Sequence, residues 1–194
     1  MHSPLQTEFP IQDVQALRAG DPEAIERFTE IFVPRLYHIA YRMCHDPEKA
    51  RDVAQETLSI ALEKMDQFRG DARLITWLYA IMFHECMRYT RQERRYYPLI
   101  ERVIAKRQLI SQERVMPEDV AIAEEQKRIF WDAVHQLPQP LRSVYLLREV
   151  EGLSVRETAL ALGISEANVK VRLHRARRKL REYLQQLDKN PRAD

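Results

Sequence analysis

The sequence predicts an all-α protein of two small helical domains joined by a flexible linker, with a helix-turn-helix in the C-terminal domain. Three observations lead there. The 194 residues hold 4 glycines against 31 basic and 29 acidic side chains, and helix formers dominate the rest. Helix-start signals recur along the chain, each followed by an apolar stripe at helical spacing. Residues 153–181, LSVRETALALGISEANVKVRLHRARRKLR, read as two helices joined by a tight turn.

Residues 1–10 carry Pro4 and Pro10 and are expected to fray. A helix follows from Ile11 to Ala19 and ends at Gly20. Asp21-Pro22-Glu23 opens the next, with aspartate as N-cap and proline in the first turn. Its apolar stripe runs through Ile25, Phe28, Ile31 and Phe32 and continues through Leu36, Ile39, Ala40 and Met43, with a kink or restart allowed at Pro34. Asp46-Pro47-Glu48 repeats the start signal for a helix to about Met65 that buries Val53, Leu58, Ala61, Leu62 and Met65. Phe68-Arg69-Gly70-Asp71 reads as a loop. A helix from about Leu74 to Arg95 places Trp77, Leu78 and Ile81 on its apolar side. Residues 98–125, interrupted by Pro98 and Pro117 and thin in apolar side chains, read as a linker with some helical turns. It separates a domain over 10–97 from one over 126–188. The second domain opens with a helix bearing Ile129, Phe130, Ala133, Val134 and Leu137. A loop at Pro138 and Pro140 and a helix from Leu141 to Glu149 lead into the helix-turn-helix.

In that motif Ser154 and Glu157 form a capping-box signature, and Val155, Ala159 and Leu162 recur at helical spacing. Gly163 suits the left-handed C-cap, Ile164 plugs the corner, and Ser165 caps the second helix. Val169, Leu173, Ala176 and Leu180 form that helix's buried stripe, while Lys170, Val171, His174, Arg175 and Arg178 fall on the opposite face. Lys170, Arg172, Arg175, Arg177, Arg178, Lys179 and Arg181 run without an acid among them. Such a run repels itself unless something anionic lies alongside, so the motif points to DNA.

The formal net charge is only +2, so the basic runs are offset elsewhere, as suits a protein with both a nucleic-acid face and a protein face. Cys44 and Cys86 make no disulfide framework and fit a reducing cytosol. The N-terminus lacks a signal pattern, and no apolar run is long enough to span a bilayer. Neither the Cys44/His45 pair nor the His84/Cys86 pair, nor His38, sits in a four-ligand metal constellation, and no glycine loop cradles phosphate. No enzyme activity, cofactor or metal is expected. The enzyme alternative is a hydrolase using Asp52, Glu56 and Glu63.

Two stretches resemble the extracytoplasmic-function (group IV) sigma factors of bacterial RNA polymerase. DVAQETLSIALEKMDQFRGDARLITWLYAI, residues 52–81, is similar to the family's second conserved region, with an acidic-Gln-acidic helix, an FRG loop and a TWL helix start. LPQPLRSVYLLREVEGLSVRETALALGISEANVKVRLHRARRKLREYL, residues 137–184, is similar to the fourth. The resemblance implies a factor that binds core RNA polymerase and directs it to promoters. Asp52, Gln55 and Glu56 would then dock on the polymerase clamp helices. Phe68, Arg69, Asp71 and Arg73 would form the pocket that reads the single-stranded minus-ten element. Arg88, Arg91, Arg94 and Arg95 would track phosphates, with Tyr89, Tyr96 and Tyr97 as candidates for stacking.

The second helix of the helix-turn-helix would enter the major groove at the duplex minus-thirty-five element, presenting Ser165, Glu166, Asn168, Lys170, Val171, His174, Arg175 and Arg178. From residue 166 to 184 it would be about 28 Å long at 1.5 Å per residue. The chain departs from the family in carrying Leu74-Ile75 where an aromatic commonly precedes TWL, which removes or moves stacking there. Relatives are often held by an anti-sigma factor, frequently membrane-bound. Leu99, Val103, Ile104 and Ile110 in the linker are candidate contacts for one. The expected location is the bacterial cytoplasm, free or held at the membrane through such an inhibitor. The alternative is a stand-alone helix-turn-helix transcriptional regulator, which would need a dimerisation or ligand domain that 11–97 does not show.

Overall fold

The structure is a computed structural model that describes residues 9–104 and 118–189, with side chains at 9–10, 12–89 and 125–186. Among the described residues the secondary structure is helical throughout: α1 (Ile11–Arg18), α2 (Pro22–Cys44), α3 (Pro47–Glu63), α4 (Leu74–Ile104), α5 (Glu118–Gln136), α6 (Gln139–Tyr145), α7 (Val155–Leu162) and α8 (Glu166–Lys189). A 3-10 turn, Met65–Gln67, follows α3, and a π-helical turn, Leu146–Val150, extends α6.

The start signals work as their chemistry requires. Asp21 accepts from the Ala24 N–H at 2.9 Å. Asp46 accepts from Glu48 and Lys49 at 3.0 and 3.1 Å, satisfying donors that a helix start leaves unpaired. Pro34 lies inside α2 without ending it. The stripe on both sides of it, Phe32 and Leu36, is fully buried, and that packing sustains the helix across the missing hydrogen bond. Likewise α4 passes Pro98 and reaches Ile104, beyond the end expected at Arg95, while α5 begins at Glu118 within the expected linker. The side chains of Arg91, Arg94, Arg95, Tyr96, Tyr97, Leu99, Val103, Ile104 and Ile110 lie outside the described residues.

In the N-terminal half, α2, α3 and α4 pack together around Phe28, Phe32, Leu36, Ile39, Leu78 and Met82. In the C-terminal half, α8 lies against α6, α7 and α5. The halves also touch. One continuous cluster of buried side chains spans both halves, a second, smaller one of Val144, Ala159, Val169 and Leu173 lies within the C-terminal half, and α4 lies alongside α7.

Polar contacts frame this seam. Arg142 of α6 donates to the Met43 carbonyl of α2 at 2.6 Å. The Arg42 guanidinium sits 3.2 Å over the Trp131 ring, a cation–π contact between α2 and α5. His45, in the left-handed conformation after α2, lies against His135 with ring centroids 4.0 Å apart. Burial first, then the neighbouring His45, Arg142 and Arg42, push the His135 imidazole down to about 4.

His135 therefore stays neutral in the folded chain over a range where the unfolded chain protonates it. A depressed histidine costs stability as pH falls below its ordinary value of 6.5. The urea midpoint is expected to drop from about pH 6.5 toward pH 5. His135→Leu is expected to flatten that drop, because it removes the group that protonates in the unfolded chain but not in the folded one. An unchanged pH slope in the variant would contradict this account.

Candidate nucleic-acid interface

The helix-turn-helix forms from its local signals. Ser154 Oγ accepts from the Glu157 N–H at 3.1 Å, and Glu157 Oε2 accepts from the Ser154 N–H at 2.8 Å, which completes the capping box. Gly163 adopts φ 62°, ψ 36° at the end of α7, where a residue with a Cβ would be strained. Ser165 Oγ accepts from the Asn168 N–H at 3.2 Å and caps α8.

The two faces of α8 separate as the spacing requires. Val169, Leu173, Ala176 and Leu180 are buried, whereas Ser165, Glu166, Asn168, Lys170, His174, Arg175 and Arg178 are exposed. Val171 is 47% exposed among them. Arg178 has Glu182 at 3.6 Å, and Arg177 donates to Glu149 at 2.7 Å. Lys170 and Arg175 have no ion-pair partner among the described residues. The face thus keeps its positive charge toward solvent.

The second cluster lies at the junction of α3 and α4. Arg18 of α1 donates to the Met65 carbonyl at 3.3 Å and to the Phe68 carbonyl, holding the base of the loop. Phe68 is buried, its ring 5.5 Å from that of the half-buried Trp77. It anchors the loop and is not exposed to stack a base. Arg69 and Asp71 are exposed around Gly70, which has φ 79°. Arg73 turns instead toward the C-terminal half, where its Nε donates to Glu157 Oε1 at 2.6 Å. Glu157 therefore serves two purposes, capping α7 with one oxygen and gripping Arg73 with the other. Burial alone would raise its carboxyl, but the Ser154 hydrogen bonds and the Arg73 guanidinium outweigh that and hold it below the ordinary range.

Further along α4, Arg88 donates to the buried Glu85 at 2.6 Å and has Glu56 at 3.9 Å, while Tyr89 is half-buried beneath the Arg88 guanidinium. On α3, Asp52, Gln55, Glu56 and Glu63 are all exposed, so the helix presents an acidic strip opposite buried Val53 and Leu58.

The structure adds residues that the sequence reading passed over: Arg35, Tyr79 and Glu151. The Tyr79 hydroxyl of α4 donates to Glu151 Oε2, and Arg35 of α2 lies 3.9 Å from the same oxygen. These contacts join elements far apart in the chain, and no local pattern marks them. A groove of about 1100 Å³ also runs between the halves, lined by Met43, Phe83, Met87, Pro140, Leu160 and Leu162 among others. Met87 and Leu160 are 36% and 54% exposed.

Comparison with known proteins matches two stretches of the chain. Residues 28–96 match the family model for Sigma-70 region 2, and residues 127–180 match that for Sigma-70, region 4. The ECF RNA polymerase sigma factor SigW of Bacillus subtilis is 29% identical over 179 residues, 90% of this chain and 96% of the relative. The RNA polymerase sigma factor YlaC of the same organism is 30% identical over 163 residues, 84% and 92% of the two chains. The ECF RNA polymerase sigma-E factor of Haemophilus influenzae is 32% identical over 143 residues, 70% and 75%. Among solved structures, the sigma factor RpoE of Bartonella quintana, in complex with the anti-sigma factor NepR, superposes with a TM-score of 0.66 at 25% identity. It covers 82% of this chain and 96% of that one. CnrH, in complex with the cytosolic domain of CnrY, shares the fold with a TM-score of 0.64 at 23% identity, over 90% and 96% of the two chains.

The Arg73–Glu157 pair is partly shielded, with side chains 30% and 22% exposed. A double-mutant cycle of Arg73→Ala and Glu157→Gln is expected to give a coupling of about 1 kcal/mol at neutral pH. Because the Glu157 carboxyl is depressed, its contribution is complete above 4.5, the ordinary glutamate value, and is lost as pH falls through the lower folded value. Additive single-variant effects at neutral pH would count against a functional ion pair here.

Proposed function

This chain belongs to the extracytoplasmic-function sigma factors of RNA polymerase, and on that premise we propose a division of labour among its exposed residues. A sigma factor binds core RNA polymerase and directs promoter-specific initiation. The observation that carries the residue assignment is the face of α8. Its cations point to solvent, Val171 stands among them, and capped turns fix the helix on its partner α7.

In this reading Lys170, His174, Arg175 and Arg178 meet the duplex minus-thirty-five element, with Lys170 and Arg175 donating to guanine edges or phosphates. Ser165, Glu166 and Asn168 approach from the first turn, and Val171 suits a thymine methyl. Arg69 and Asp71, on the loop pinned by Arg18 and Phe68, are proposed to receive an unstacked minus-ten base. Phe68 would act through the shape of the loop. Arg73 would join them once freed from Glu157, and Arg88 would lie along the phosphates, with Arg91, Arg94 and Arg95 assigned to the same path. The acidic strip of Asp52, Gln55 and Glu56 is assigned to core polymerase, because exposed carboxylates suit a basic protein surface and repel DNA.

The boundaries proposed are 10–97 for the polymerase-binding and melting domain and 126–188 for the helix-turn-helix domain. Control by an anti-sigma factor is proposed as well. RpoE of Bartonella quintana is described in complex with one, and the groove with its exposed Met87 and Leu160 offers apolar surface to an inhibitor. The protein is proposed to act in the cytoplasm and without catalysis of its own. Among the described residues no helix is long and apolar enough to cross a membrane.

In vitro transcription with purified core polymerase on genomic fragments tests the assignment. Addition of this protein is expected to create new start sites. Lys170→Ala and Arg175→Ala are each expected to weaken promoter binding by roughly 1–3 kcal/mol and to flatten its salt dependence if the contact is to phosphate. Arg69→Ala is expected to leave duplex binding intact and suppress strand opening, read by permanganate reactivity. Asp52→Ala is expected to weaken core binding while leaving the fold intact. Tight binding of the protein alone to a palindromic duplex, with no new transcripts from active core, would favour a stand-alone regulator.

A further inference from the structure

The Sγ atoms of Cys44 and Cys86 lie 4.0 Å apart, one at the last residue of α2 and the other on α4. No disulfide joins them. A disulfide requires about 2.05 Å, so closure needs an approach of about 2 Å, within the range of side-chain rotation and a small helix shift. The pair is asymmetric. Cys86 is fully buried and Cys44 only half-buried, so an oxidant in solution reaches Cys44 first. The Arg142 guanidinium, bonded to the carbonyl of the adjacent Met43, also interacts electrostatically with Cys44. The hydrogen bond with Cys44, together with burial, pushes the Cys86 thiol up, which keeps it protonated until a partner sulfur is activated.

We propose that Cys44 and Cys86 form a reversible dithiol–disulfide site, closed by hydrogen peroxide or an organic hydroperoxide, that acts on the end of α2 held by the C-terminal half. In the first step the Cys44 sulfur attacks a peroxide oxygen. The O–O bond breaks, Cys44 becomes a sulfenic acid, and the thiol proton leaves with the second oxygen as water, or as an alcohol for an organic hydroperoxide. In the second step the Cys86 sulfur attacks the Cys44 sulfur. The S–O bond breaks, the S–S bond forms, and the hydroxyl leaves with the Cys86 proton as water. Two thiols are oxidised and one peroxide is reduced.

Residues 42–45 connect this chemistry to the seam between the halves. Arg42 sits over Trp131, Met43 accepts from Arg142, and His45 lies against His135. Drawing Cys44 toward α4 displaces the segment that makes all three contacts. Transient, sensing disulfides are the kind that a reducing compartment permits.

The test treats the full chain with hydrogen peroxide, then measures intact mass, free thiols and mobility without reductant. The expected result is a monomer that has lost two hydrogen atoms and both thiols and is restored by dithiothreitol. Cys44→Ser and Cys86→Ser, checked for helical content by circular dichroism, are expected not to give this product. If either serine variant fails to fold, the alanine variant takes its place. In a Trp77→Phe background, the remaining Trp131 emission is expected to change on oxidation and to recover on reduction. Unreacted thiols, disulfide-linked dimers alone, or stepwise oxygen addition at Cys44 would overturn the disulfide. Complete disulfide formation with unchanged Trp131 emission would overturn its action on the seam.

Discussion

The Glu151 carboxylate is the point on which the arrangement of the two halves depends. It follows the π-helical turn of the C-terminal domain and lies between the Tyr79 hydroxyl and the Arg35 guanidinium, both from the N-terminal domain. Its side chain is only 12% exposed, and a carboxylate taken that far from water requires partners. Tyr79 is fully buried among apolar neighbours, so its hydroxyl has the matching requirement. Burial first, and the Glu151 charge second, push the Tyr79 phenol far up, so it remains a donor throughout the physiological range. Each half thus carries a polar group that is costly to bury alone. The contact resolves both, and it also sets α4 alongside α7.

That placement decides which charged faces remain open. The acids of α3 and the cations of α8 stay in solvent on separate helices, which is why a nearly neutral chain can present surfaces of both signs. Between them, Arg73 and Glu157 neutralise one another at the edge of the same contact. The capping-box glutamate is thereby more than a local helix signal, since its second oxygen is engaged by the other domain. Local folding of α7 and the packing of the two halves share a single side chain.

Features encoded within a few residues were legible from the sequence. The N-caps at Asp21, Asp46, Ser154 and Ser165, the left-handed Gly163 and the buried stripe of α8 follow from spacing and side-chain chemistry. The course of the chain across Pro34 and Pro98 was less legible, because at Pro34 tertiary packing outweighs the local penalty. Phe68 read as a loop residue and a candidate for the minus-ten pocket, and in the structure it packs on Trp77 and is tied through its carbonyl to Arg18. The seam itself was invisible. Arg142, His135, Glu151 and Tyr79 meet partners from distant segments, and a charged side chain on a helix carries no local mark of the partner it will find. The closeness of Cys44 and Cys86, 42 residues apart, is hidden for the same reason.

Arg73 can serve only one partner at a time, and the energies involved show what can release it. Held by Glu157, its guanidinium is committed to a pair of two part-exposed side chains, a contact of the order of 1 kcal/mol. The other seam contacts are individually of similar or modestly greater scale, namely a cation–π contact of about 0.5–2 kcal/mol and hydrogen bonds of about 1.5–3 kcal/mol to charged groups. A partner that binds only the separated halves offsets one or two of these contacts, and the apolar burial shared by the halves adds to what must be overcome. Such a partner at a hundred times its dissociation constant supplies about 2.7 kcal/mol, and at a thousand times about 4.1. In the assignment proposed above, a polymerase surface engages α3 and a promoter engages α8, and their contributions would add when both are bound. Neither needs to touch the seam to open it, provided that each binds the separated form better than the packed one. In this sense a seam that mixes apolar burial with separate polar contacts would suit the proposed division of labour, in which the partners set the spacing of the two surfaces.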